Sequence, residues 1–312
     1  MSLVRRRLFH GMLLLLSGWL AAGAVAADAA LAVQEVAPGN YVHFGKHVTF
    51  EDPQHDDIAN IGFIVGGKCV AVVDTGGSIK IGRQLREAVR EKTRLPVCYV
   101  INTHVHVDHV LGNYAFKDDK PIFIGNAALA EAMRANREFF VKNYPEDLGV
   151  PPSPDQVIGP DQGVEKTLEL DLGGKRLLLT SYPKAHSSAD LTVLDEDTNT
   201  LWTGDLLFRE RIPSLDGSVL GWLKVIDDLK REKVKLAIPG HGSVTNDLVG
   251  ALDQERGYLQ MLVDQVRGMI KQGVPMEVAM TQVGMPQAMK WQLWEQHHRR
   301  NVIRVFHELE WE

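Results

Sequence analysis

Within six residues the chain gathers three histidines and an aspartate, in the run Thr103-His104-Val105-His106-Val107-Asp108-His109. Imidazole and carboxylate are side chains that hold borderline divalent metals. Residues two apart in an extended turn point the same way, so His104 and His106 can grip one ion. Asp108 and His109 then face elsewhere and can begin a second site. Asp108 also falls where a helix would start, and negative charge is favourable there. One loop cannot fill two coordination shells, so further ligands are expected from other segments. His186, Asp205 and His241 supply them, each at the end of a β-type run, where sites in mixed α/β sheets gather. Alone, each of these three reads as structural; beside the first cluster they complete a set of seven candidate ligands.

The elements that must position these residues follow from local patterning. Short β-type runs occur at 41–44, 61–65, 69–74, 97–101 and 121–124, with Gly66-Gly67 as a hairpin turn. Residues 45–60 are polar, hold Asp52, Asp56 and Asp57, and read as an exposed flap. Residues 80–92 have helical spacing, with Ile81, Leu85 and Val89 four apart, and 127–144 reads as a second helix. The second half repeats the scheme, with strands at 167–172, 176–182, 191–195, 200–203 and 236–238 and a helix at 221–231. Two strand-rich halves carrying helices imply an α+β chain built as an αββα sandwich. From 246 the pattern is helical to the end, with a break at Gly273 and Pro275 and a last helix at 291–309. The chain therefore reads as one domain over 27–312, of which 246–312 is a helical extension.

The chain has 312 residues, is 45% hydrophobic and 24% charged, and carries net charge −6. Those values exclude disordered and fibrous classes, and the acidic balance argues against nucleic acid as a partner. Residues 1–26 read as a cleaved signal peptide, with an uncleaved membrane anchor as the alternative: basic Arg5, Arg6 and Arg7, an apolar stretch, then Ala24-Val25-Ala26. Arg6 and Arg7 also fit twin-arginine export. Removal leaves 31 basic against 40 acidic residues, a net −9, and no later stretch apolar enough to span a bilayer. A periplasmic or secreted location is expected. Cys69 and Cys98 each start a strand; if those strands are parallel neighbours, an oxidising compartment permits a disulfide, the alternative being two buried thiols.

These motifs resemble the metallo-β-lactamase superfamily. The resemblance rests on H-x-H-x-D-H at 104–109, the His186 and Asp205 segments, Gly240-His241-Gly242 and the Asp74-Thr75-Gly76 turn. It implies an αββα fold with a dinuclear site: His104, His106 and His186 on one ion, Asp108, His109 and His241 on the other, and Asp205 bridging. Two zinc ions are implied, iron and manganese also accepting such ligands. It implies a metal-bridging hydroxide that attacks an ester, thioester, lactone or amide of a small substrate, with Asp108 catalytic and Asp74 structural. Asp205 in the bridging position resembles glyoxalase II and general hydrolases more than the familiar zinc lactamases, so a glyoxalase II-like thioesterase and a weak β-lactamase are alternatives. Residues 57–63 and 204–217 are similar to an exported subgroup, the SoxH-related quinoprotein relay system zinc metallohydrolases. That likeness implies a functional link to a periplasmic quinoprotein dehydrogenase and its cytochrome, in catalysis or as a non-catalytic accessory factor. A mononuclear iron persulfide dioxygenase needs fewer ligands than are present.

Arg209 and Arg211 leave the strand that ends near Asp205, so either is a candidate to bind an anionic substrate group, against a plain structural ion pair. His43, His47 and His55 read as surface residues. His297, His298 and His307 in the tail read as structural, and Trp222, Trp291 and Trp294 as packing residues.

Overall fold

The computed structural model describes residues 29–312, so the proposed signal peptide lies outside the described residues. Seven strands form the first sheet: β1 (Gln34–Ala37), β2 (Asn40–His43), β3 (Ile61–Val65), β4 (Val70–Val73), β5 (Val97–Ile101), β6 (Ile122–Asn126) and β7 (Gln162–Val164), hydrogen-bonded in chain order. β1 to β4 are antiparallel, and β4 to β7 are parallel. The second sheet, also hydrogen-bonded in chain order, holds β8 (Thr167–Asp171), β9 (Arg176–Ser181), β10 (Leu191–Asp195), β11 (Thr200–Phe208) and β12 (Leu236–His241). Only its β11–β12 pair is parallel.

Strand periodicity explains the layering. In β4, Ala71 and Val73 face the second sheet, packing with Ile101, Leu179, Val193 and Ile238. Val70 and Val72 face outward, under Ile81, Leu85 and Val89 of helix α1 (Ile79–Lys92). Because both faces are covered, the strand reads as a continuous apolar run. Ser78 caps α1, its hydroxyl accepting from the Ile81 amide. The short helix α2 (Val107–Val110) and helix α3 (Leu129–Asn143) follow β5 and β6. On the far side, α4 (Val219–Leu229) and α5 (Leu248–Lys271) cover the second sheet. After α6 (Met276–Gln282) and α7 (Met285–Ala288), α8 (Trp294–Leu309) joins the same apolar cluster through Val302 and Val305. The αββα sandwich and the C-terminal helices are thus as the sequence implies. No helix among the described residues is long and apolar enough to cross a membrane.

Three local expectations change. β11 does not stop at Thr203 but runs to Phe208, carrying Asp205 inside the strand. Gly204 makes this continuation: it has φ +50°, and an added Cβ would sit 2.6 Å from the Thr103 side chain in the metal loop. The 45–60 segment is an exposed flap only near its tip. Asp57, Ile58, Ala59 and Asn60 are buried, and Asp57 is paired with His43 and Lys46. The strands β1 and β7 are too short, at 4 and 3 residues, to show a period in sequence. Cys69, just before β4, and Cys98, within the neighbouring parallel strand β5, have Cα atoms 5.8 Å apart and are joined as a disulfide.

Candidate metal centre

The site lies where the chain leaves β4, β5, β9 and β12, together with Asp205 within β11. All seven ligand candidates meet there. Two groups form, His104 with His106, His186 and Asp205, and Asp108 with His109 and His241; within each, one ligand atom per residue lies within 4.8 Å of the others. Six of the seven are buried, and His106 is half-buried.

Every one of the five imidazoles has one nitrogen committed outward. His109 Nδ1 donates to Asp74 at 2.8 Å, His186 Nδ1 to the Ser214 carbonyl at 2.8 Å, and His241 Nδ1 to the Ile58 carbonyl at 2.7 Å. Thr103 Oγ1 donates to Asp74 and accepts from His104 Nδ1 at 3.0 Å. His106 is turned the other way, Nε2 donating to Asp216 at 3.0 Å. Each remaining nitrogen is thereby turned inward, where its lone pair, once free of a proton, can ligate a metal.

Those lone pairs converge. His106 Nδ1 is 3.1 Å from His104 Nε2 and 2.9 Å from His186 Nε2. A tetrahedral ion bound at about 2.0–2.1 Å holds its nitrogens about 3.3–3.4 Å apart, so the triangle is within a few tenths of an ångström of that size. At this spacing the three nitrogens need a proton or a cation between them, since bare lone pairs so close repel. Asp205 reaches both groups: Oδ2 is 3.3 Å from His186 Nε2 and 3.4 Å from His241 Nε2, and Oδ1 is 3.3 Å from His109 Nε2. Asp108 Oδ2 is 3.3 Å from His241 Nε2.

Two further observations fit a bound cation. His109 Nε2 and Asp205 Oδ1 are buried and hydrogen-bonded to nothing in the protein, a costly arrangement unless something else satisfies them. Gly240 leaves the space for Asp205, since an added Cβ would lie 1.9 Å from Oδ1. The electrostatics agree. Burial and neighbouring histidines push His104 well below the ordinary imidazole range, and burial takes His186 down to about 3. Burial also acts to lower His109, yet Asp205, Asp108 and Asp74 lift it well above that range. The cluster thus attracts positive charge strongly on the His109 side.

Around the loop that carries His186, Asp190 accepts from the Ser187 amide and hydroxyl and so shapes the turn. Burial pushes its carboxyl up to about 6. Trp222 packs edge-on against the His186 ring at 5.1 Å, the packing role expected of it.

A cavity of about 680 Å³ opens onto His106, Asp108, Asp205 and His241. Phe50, Val107, Phe139, Phe140 and Tyr144 give it apolar surface, and Lys184, Arg211, Arg300 and Arg304 give it cationic surface. The two arginine candidates separate here. Arg211 is buried and lines the cavity, with Nε unpartnered. Arg209 is turned away, donating to the Ser243 and Val244 carbonyls, so its placement does not support the substrate contact foreseen for it. His43, His47 and His55 pair with Asp57, Gln292 and Asp147 and do not reach the ligands. His298 and His307 are structural, bonded to Tyr258 and Glu310. His297, by contrast, lines the cavity, and its buried Nε2 has no partner. Asp216 was also missed. It bonds His106 and is held in turn by Arg300 and Arg304 of α8.

A profile of the Metallo-beta-lactamase superfamily matches residues 56–241, which span the whole ligand set. The chain belongs to the metallo-beta-lactamase superfamily. Among curated proteins, this superfamily member is 28% identical over 215 residues to the Acyl-coenzyme A thioesterase MBLAC2 of Homo sapiens, covering 59% of this chain and 72% of that one. A metallo-beta-lactamase family protein from Thermus thermophilus has the same fold, with TM-score 0.63 and 19% identity over 89% of this chain and 94% of the other. The sec-alkylsulfatase Pisa1 from Pseudomonas sp. superposes with TM-score 0.62 and 16% identity over 88% of this chain, which spans only 50% of that protein. The superfamily membership and the hydrolase relatives identify a metal-dependent hydrolase.

Proposed function

We propose that this superfamily member is a dinuclear hydrolase of small acyl esters and thioesters. The observation that carries the reading is the Asp205 carboxylate, set between two groups of imidazole lone pairs whose other nitrogens are all tied down. Zinc is the ion that this nitrogen and oxygen set suits best, with iron and manganese as competitors. Two bound ions would supply a nucleophile at neutral pH and polarise the substrate's carbonyl.

The remaining steps belong to the chain's own residues. His104, His106, His186, His109 and His241 hold their rings rigidly through the outward hydrogen bonds, so no reorganisation is needed when charge develops. Asp108, at the cavity surface, orients the attacking group and passes its proton toward the leaving group. Phe139, Phe140 and Tyr144 receive the apolar part of the acyl chain and exclude water. The human relative is an acyl-coenzyme A thioesterase by name, which supports a thioester substrate.

An exported location is supported by the basic, apolar and small-residue order of 1–26 and by the Cys69–Cys98 disulfide. The quinoprotein link rests on sequence likeness, and co-purification from periplasmic extract tests it. The functional test is metal analysis of the purified protein, then hydrolysis of a panel of acyl thioesters before and after chelation. Loss on chelation and return with zinc are expected. Full turnover by metal-depleted protein refutes the reading.

A further inference from the structure

Two buried side-chain nitrogens at the cavity have no partner, and neither residue is a metal ligand. Arg211 is 3% exposed and its Nε is unbonded; His297 is 6% exposed and its Nε2 is unbonded. Both line the same cavity beside His241 and Asp108. An unpartnered buried polar atom is costly, so two at one cavity mark a place where a ligand completes the bonding. Arg211 Nε can only donate, which fixes the complement as an acceptor. A guanidinium beside an imidazole that can place its proton on Nε2 favours an anionic oxygen pair over a neutral carbonyl.

The two residues come from different parts of the chain. Arg211 follows β11, whereas His297 sits on α8, beyond the 56–241 span that matches the superfamily. The C-terminal helices therefore do more than cover the second sheet; they bring a polar group into the cavity.

We propose, resting on the acyl-hydrolase reading above, that His297 and Arg211 hold a carboxylate of the substrate, so that the preferred substrates are acyl thioesters or esters carrying a second, anionic end. His297 is a substrate-positioning residue from the extension. The apolar and cationic surfaces of the cavity fit the two ends of such a molecule.

The test compares S-phenyl thioesters of succinate and butyrate with the zinc-loaded enzyme, in wild type, His297→Phe and His297→Gln. Wild type is expected to prefer the succinyl substrate in kcat/KM, mainly through KM. His297→Phe is expected to reduce the succinyl-to-butyryl ratio by about ten- to a hundredfold, the range for a hydrogen bond to a charged group. His297→Gln, whose amide nitrogen stands near the lost Nε2, recovers part of that ratio. Binding is read separately, by calorimetry with the non-hydrolysable thioether 4-(phenylthio)butanoate against butyl phenyl sulfide. Carboxylate binding that weakens in His297→Phe, with zinc content unchanged, supports the proposal even if neither thioester is cleaved, in which case the hydrolase reading fails alone. Equal carboxylate binding in wild type and His297→Phe overturns it, whatever the hydrolysis rates, because the carboxylate is then held elsewhere.

Discussion

Replacing Asp74 by asparagine should strip the metal centre of one ligand without touching any ligand. Asp74 has φ +54°, a left-handed conformation that asparagine also tolerates, so the backbone is not the target. Its Oδ1 accepts from the Thr103 amide at 2.8 Å, and its Oδ2 accepts from Thr103 Oγ1 and His109 Nδ1 at 2.7 and 2.8 Å. An asparagine offers one oxygen and one NH₂. The Thr103 amide cannot turn its proton away, so the oxygen is kept there and the NH₂ faces His109. His109 Nδ1 must then become the acceptor, and its proton moves to Nε2, the atom needed for the metal. Both hydrogen bonds to Oδ2 are lost, from Thr103 Oγ1 and from His109 Nδ1; the one that bears directly on a metal ligand is that of His109, a hydrogen bond to a charged partner worth about 1.5–3 kcal/mol. That corresponds to roughly ten- to a hundredfold in affinity, the range seen when outer partners of metal ligands are removed. Chelator competition followed by elemental analysis should show weakened binding of the ion held by Asp108, His109 and His241, with the other ion less affected. Nitrogen NMR of the His109 ring should show the proton shifted to Nε2. Unchanged affinity for both ions would refute the tautomer argument.

Other consequences are open to measurement. Gly240→Ala places a methyl 1.9 Å from Asp205 Oδ1 and within 3 Å of the Gly204–Asp205 backbone, so the carboxylate must move and binding of at least one ion should be lost; metal content at equal folded fraction by circular dichroism checks it, and a full complement of both ions would refute it. Cys69→Ser opens a loop of 29 residues, and the chain-entropy relation puts the loss near 3–4 kcal/mol; a melting temperature equal to that of the oxidised wild type would contradict it. His43 has a raised pKa: burial acts to lower it, but Asp57 at 2.6 Å and the Ala32 carbonyl outweigh burial. The stability it gives is complete below its unfolded value of about 6.5 and is lost as pH rises through the raised folded value. The melting-temperature gap between wild type and His43→Gln should therefore narrow from pH 6 to pH 8; a widening gap would reverse the assigned sign.

Much of the site was legible because metal ligation depends on residue type and on local spacing. His104, His106, Asp108 and His109 share one loop, and His186, Asp205 and His241 each end or interrupt a strand, so chemistry and period sufficed to select them. The layered fold was legible for the same reason. Runs such as Val70–Val73 are apolar at every position because helices and a second sheet cover both faces. The extent of β11 was not, because its continuation past Thr203 depends on Gly204 adopting φ +50° against the Thr103 side chain, a contact between segments about a hundred residues apart.

The sequence by itself determined which side chains can bind metal, and that they lie on a sandwich with a helical tail. Only the tertiary structure decided which nitrogen of each histidine faces inward. That choice is made by Asp74, Asp216, Thr103 and the carbonyls of Ser214 and Ile58. It also decided between the two arginines, turning Arg209 outward and Arg211 into the cavity, and it carried His297 from the tail to the cavity wall. The reason is physical: local sequence encodes periodicity and chemical type, whereas hydrogen-bond partners of a buried ring are set by how distant strands and helices pack.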